Sequence, residues 1–165
     1  MPEPPDHLRR RLADLLAGRG AHVDFATAVR GLAAETAGRR APGLPHTAWQ
    51  LVEHLRIALR DLVEYSRSPE HRSPPWPEGY WPQGEAPPSA AAWEESLAAY
   101  RLHLAEMIDL VSDADLDLLT PLPWSEDGAD LVREALLAAA HASYHVGQLV
   151  DLRRALGDWP PPERS

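Results

Sequence analysis

Apolar residues recur along most of this chain at intervals of three and four, the spacing that gathers them on one face of an α-helix. Leu8, Leu12, Leu15 and Leu16 form such a stripe after Pro4-Pro5-Asp6, and Gly18 and Gly20 end it. Asp24 is placed to cap a second, short helix carrying Phe25, Val29 and Leu32. Gly38, Pro42, Gly43 and Pro45 then mark a connection. Thr47-Ala48-Trp49-Gln50 has the form of a capping box, in which the Thr hydroxyl accepts the Gln50 N–H and the Gln side chain reaches back. It predicts a third helix to about Ser66, with Leu51, Leu55, Ala58, Leu62 and Tyr65 turned inward and His54 beside them. Ser89 opens a fourth, with Trp93, Leu97, Tyr100, Leu104, Met107, Ile108 and Val111 on one face, the cleanest helical period in the chain. Asp130 opens the last, which should end near Gly157 and run on the order of 40 Å at ~1.5 Å per residue.

Two interruptions are long. From Ser68 to Pro88 the chain is dense in Pro, Trp and Tyr, and Pro74, Pro75, Pro77, Pro82, Pro87 and Pro88 forbid a regular helix. Ser112 to Ala129 is acidic and carries Pro121 and Pro123. No period-2 alternation persists, so no strand is expected. The pattern predicts an all-α fold, a four-helix bundle with an extra short helix and long loops, as a single domain over residues 1–165.

Composition narrows the function classes. The absence of cysteine excludes disulfides, iron–sulfur clusters, thiolate zinc sites and a Cys nucleophile in this chain. It fits a reducing compartment, and a cytoplasmic location is expected. Sixteen Lys and Arg against 25 Asp and Glu give a formal charge of −9, which argues against a nucleic-acid partner. Arg9-Arg10-Arg11, Arg39-Arg40 and Arg153-Arg154 read as solvated charge. No apolar run of membrane-spanning length is present, so no membrane partner is expected. Met1 to Asp6 lacks the basic start and apolar run of a signal peptide.

The strongest chemical signal is His141-Ala142-Ser143-Tyr144-His145. Residues four apart on a helix lie roughly 40° apart and about 6 Å along the axis, so two imidazoles can converge on one ion. With eight histidines in the chain the bare spacing is weak, and a pair of hydrogen-bonded core histidines is the alternative. His54, mid-helix between Leu51 and Leu55, is the natural third ligand, because bundles build metal sites from facing helices. On its own it reads more often as a boundary histidine.

Two residue sets go further. Trp49-Gln50-Leu51-Val52-Glu53-His54-Leu55-Arg56 is followed by Asp61; His141-Ala142-Ser143-Tyr144-His145-Val146-Gly147-Gln148-Leu149 is followed by Arg153 and Gly157. With one His on an early helix and His-x3-His-x2-Gln on the last, the chain resembles the DinB/YfiT-like superfamily of metal-binding bundles over nearly its whole length. The resemblance implies that His54, His141 and His145 bind one divalent metal ion, typically zinc or nickel. It implies a small-molecule substrate, and a reaction of thiol-S-transferase or hydrolase type with a low-molecular-weight thiol as one partner. It also implies a homodimer. A non-catalytic metal-binding bundle and a stress-related interaction protein are the competing readings.

Other residues are open at this stage. Gln148, one turn from His145, could bind water or substrate near the ion, or make a helix-packing hydrogen bond. Tyr144 is turned roughly 100° from its neighbour His145, which favours packing. Asp61 shares the face of His54; it could support a ligand from another helix or form a surface salt bridge with an arginine. Glu53 and Arg56 turn away from His54, so neither is named as a base. Asp113-Ala114-Asp115-Leu116-Asp117 mimics a calcium loop, but Leu118 and Trp124 stand at its sixth and twelfth positions, and the match fails. The loop Trp76-Pro77-Glu78-Gly79-Tyr80-Trp81-Pro82 either covers the mouth of a site or is pinned to the bundle by its aromatics.

Overall fold

The structure, a computed structural model, describes residues 4–161. The expectation about the start of the chain falls partly on Met1 to Glu3, outside the described residues. Six α-helices follow in order: α1 (Pro4–Leu16), α2 (Phe25–Val29), α3 (Ala34–Ala37), α4 (Ala48–Arg67), α5 (Ala90–Ser112) and α6 (Leu131–Ala155). A 3-10 turn, Glu78–Tyr80, interrupts the loop between α4 and α5, and no strand occurs among the described residues.

The start signals act as local chemistry requires. Asp24 accepts the Thr27 N–H at 2.7 Å, Ser89 that of Ala92 at 3.1 Å, and Asp130 that of Arg133 at 2.8 Å. Both halves of the capping box form, with Gln50 N–H to Thr47 Oγ1 at 3.2 Å and Thr47 N–H to Gln50 Oε1 at 3.0 Å. Just past α6, Gly157 takes a φ of 74°, a conformation a side chain would resist.

The long helices make a four-helix bundle. α4 packs against α5 and α6, and α1 packs against the same two from the other side. Leu12, Leu16, Leu55, Tyr100, Met107 and Leu149 are among the buried residues between them. The short helices α2 and α3 close one end: α2 lies on α6, and α3 touches α4 and α5. Trp93 ties α5 to this end by donating from Nε1 to the Leu32 carbonyl at 3.0 Å.

Several expectations change. α3 was not legible, because four residues carry no period. Leu15 is 43% exposed, since the inward line of α1 runs through Leu8, Leu12 and Leu16 and leaves Leu15 at its edge in the last turn. The arginine runs are not uniformly solvated. Arg9 donates to the Val111 carbonyl at 3.2 Å, satisfying an orphan acceptor at the end of α5. Arg153 is wholly buried; its guanidinium donates to the carbonyls of Ala28 and Arg30 at 2.8 and 2.9 Å and to Asp158 Oδ2 at 2.9 Å.

The Trp/Pro loop is held at several points. Thr47 Oγ1 donates to the Glu85 carbonyl at 2.6 Å, and Arg40 pairs with the Glu85 side chain. Tyr80 Oη donates to Asp61 Oδ2 at 2.6 Å. No helix among the described residues is long and apolar enough to cross a membrane.

Candidate metal centre

The middle of α4 faces both α6 and the Trp/Pro loop, so His54 is only 4% exposed. From α6, His145 is equally deep and His141 is half-buried. Their Nε2 atoms converge: His54 to His141 at 2.9 Å and His145 to His141 at 3.1 Å. The three rings stand nearly perpendicular to one another, at 80°, 85° and 87°. They meet like three faces of a corner with the nitrogens at its apex.

The outer nitrogens explain the orientation. His54 Nδ1 lies 2.8 Å from the Tyr80 carbonyl, and His145 Nδ1 lies 2.6 Å from Gln148 Oε1. Each oxygen accepts an N–H, so the proton of each ring sits on Nδ1 and the Nε2 lone pair turns inward. A single proton on His141 Nε2 can serve only one of those two lone pairs at a time. A divalent cation satisfies all three. A tetrahedral ion with bonds of ~2.0–2.1 Å holds its nitrogens roughly 3.3 Å apart, close to the spacing here. The cluster is therefore capable of coordinating a divalent metal ion, and it is the group of metal-ligating side chains found among the described residues.

The imidazoles are also prepared in charge. Burial, reinforced by His145 and His54, lowers the pKa of His141 to about 4. Burial lowers His54 and His145 as well, with the Tyr80 carbonyl and Gln148 acting in the opposite direction. All three are neutral at pH 7, the form that ligates metal.

Residues 19–149 match the model of the DinB superfamily, well over half the chain and a span that includes all three histidines and Gln148. The chain belongs to the DinB superfamily. No curated protein and no solved structure matches it.

Around the DinB histidines the structure sorts the remaining candidates. Gln148 is the acceptor for His145, so its amide oxygen is committed to a ring nitrogen. Tyr144, expected to pack, is 65% exposed and meets His145 only at a ring edge, because it lies on the outer side of α6. Asp61 pairs with no arginine among the described residues. Its carboxylate lies between Tyr80 Oη and His71 Nε2, at 2.6 Å from each. Asp61 thus reaches His54 through the residue whose carbonyl holds that ring.

Three participants escaped the sequence pattern. Trp81 lies flat on His54, at 4.0 Å between centroids and 0° between planes, and also stacks on His46 at 4.3 Å. The Tyr80 carbonyl is the third. The density of aromatics in the loop pointed to a role at a site but not to which atoms face His54, since the loop returns to α4 from 26 residues away. The loop is pinned to the bundle, and its Trp81 covers one face of His54.

Proposed function

We propose that this DinB-superfamily protein binds one divalent ion through Nε2 of His54, His141 and His145 and acts on a small molecule there. What supports the reading is the pair of inward lone pairs on His54 and His145, held by outward N–H bonds to Tyr80 and Gln148. An all-imidazole set suits zinc or nickel. Three protein ligands leave a coordination position open, and a bound ion there supplies Lewis acidity that lowers the pKa of a water or a thiol.

The chain's own residues divide the remaining work. Tyr80 and Gln148 keep two rings in the ligating tautomer. Asp61 and His71 clamp the turn that carries the Tyr80 carbonyl. Trp81 shields one face of His54 from water. The reaction is of the thiol-S-transferase or hydrolase type, with a low-molecular-weight thiol as the co-substrate in the first case. The protein works in the cytoplasm as a homodimer of single-domain chains.

Elemental analysis tests this. Protein purified without an affinity tag should carry about one zinc or nickel per chain, and a His141→Ala, His145→Ala double variant should carry none. A chain that takes up no metal even after incubation with either ion would sink the reading.

A further inference from the structure

One hollow bears on what can reach the imidazoles. It measures about 270 Å³ and lies between α4, α6 and the 3-10 turn. His54 and His141 form its inner wall, and Ala58, Leu62, Trp76 and Leu137 make up most of the rest. Its other two residues, Asp61 and Tyr80, are turned onto each other by the 2.6 Å hydrogen bond already described. No lysine or arginine lines it. Nearby Arg56 and Arg60 are engaged by Glu53 and Glu64 at 2.7 Å each. The one carboxylate facing the hollow is Asp61, in a chain of net charge −9.

We propose that this hollow is the substrate subsite of the centre and that it takes an uncharged, apolar limb, one aromatic ring with a short chain, while rejecting an anionic group at the outer end of that limb. The inference rests on the metal reading above, but its polarity argument comes from other residues. An apolar limb leaves water against Ala58, Leu62 and Leu137, and a ring can pack against the Trp76 and Tyr80 edges. A carboxylate at the outer end of that limb, turned away from the imidazoles, would lose its hydration, find no lysine or arginine among the lining residues to replace it, and meet Asp61. Size agrees, since an apolar cavity of about 150 Å³ already holds benzene. Trp76 is 73% exposed and Leu137 43%, so two large apolar side chains stand in water at the rim until such a limb covers them. The reacting atom of the substrate then sits at the imidazoles and its apolar substituent points out toward Leu137.

Two thiols of one shape separate the alternatives: benzyl mercaptan and its 4-carboxy derivative. Each is titrated into the full chain loaded with cobalt, whose absorption reports thiolate binding, and cobalt content is measured in the same samples. Benzyl mercaptan should bind at least tenfold more tightly. Leu137→Asp, at a half-exposed position, should abolish that preference with cobalt content unchanged, and Trp76→Ala should weaken benzyl mercaptan several-fold. Equal binding of the two thiols, or a preference untouched by both variants, overturns the subsite while leaving the metal centre standing. Samples that hold no cobalt overturn the metal reading itself, and the subsite with it.

Discussion

Two histidines on neighbouring elements show how a partner atom decides what an imidazole is for. His71 lies between carboxylates, 2.6 Å from Asp61 and 3.1 Å from Glu64, so both of its nitrogens face acceptors. His54 Nδ1 faces a carbonyl, which turns the Nε2 lone pair inward, toward His141 and an ion. Gln148 does for His145 what Tyr80 does for His54. Gln148→Ala should therefore weaken metal binding about tenfold or more while leaving the fold intact, because partners of ligating histidines carry effects of that size. Competition against a chelator measures it, and Gln148→Glu, which restores an acceptor, should recover most of the loss. Arg153 is the residue on which stability depends most plainly. Arg153→Met would leave the Ala28 and Arg30 carbonyls without their donor, and should cost about 3 kcal/mol in chemical denaturation. Arg153→Lys should not rescue it, since one ammonium cannot reproduce the planar fork.

Among the elements, α4 carries most of the design. Its capping box fixes where the helix begins, and so which way His54 points two turns later. Thr47 is fully buried and also donates to the Glu85 carbonyl, so one hydroxyl starts the helix and fastens the far end of the Trp/Pro loop. Thr47→Ala should destabilise the protein by about 1–2 kcal/mol, with thermal unfolding as the measurement. A loss of only a few tenths would mean that the loop is held elsewhere. The loop itself acts as part of the site: Tyr80 supplies an acceptor and Trp81 a roof, on a segment that Asp61 and His71 pin down.

For the molecule as a whole, the buried imidazoles make stability depend on pH and on metal. The folded-state pKa of each ligand histidine lies below its ordinary value, so between the two values the unfolded chain binds more protons. Stability of the metal-free protein therefore rises with pH across that window and levels off above about 6.5, the ordinary histidine value. On acidification it should fall from about pH 6.5 toward the His141 value of about 4. Denaturation midpoints at several pH values measure this, and the double variant lacking His141 and His145 should show a shallower slope. At neutral pH, a metal that binds only the folded state raises the melting temperature by mass action, and a chelator should reverse it.

The parts legible in the sequence are those encoded within a few residues. Asp24, Thr47 with Gln50, Ser89 and Asp130 mark helix starts, because a cap is a contact over three positions. The period of apolar residues separates helix from loop, and the four-residue step from His141 to His145 puts two imidazoles on one face. The order of these motifs was enough to place the chain in its family. Only the tertiary structure decided the rest. It set His54 Nε2 against His141 across 87 residues, brought the Tyr80 carbonyl to His54 across 26, and buried Arg153 against a carbonyl 125 residues away. Local pattern records which face of a helix is apolar, because that face repeats with the turn of the backbone. It does not record which oxygen meets which nitrogen, because those pairings arise only when separate elements pack and most buried polar atoms find partners.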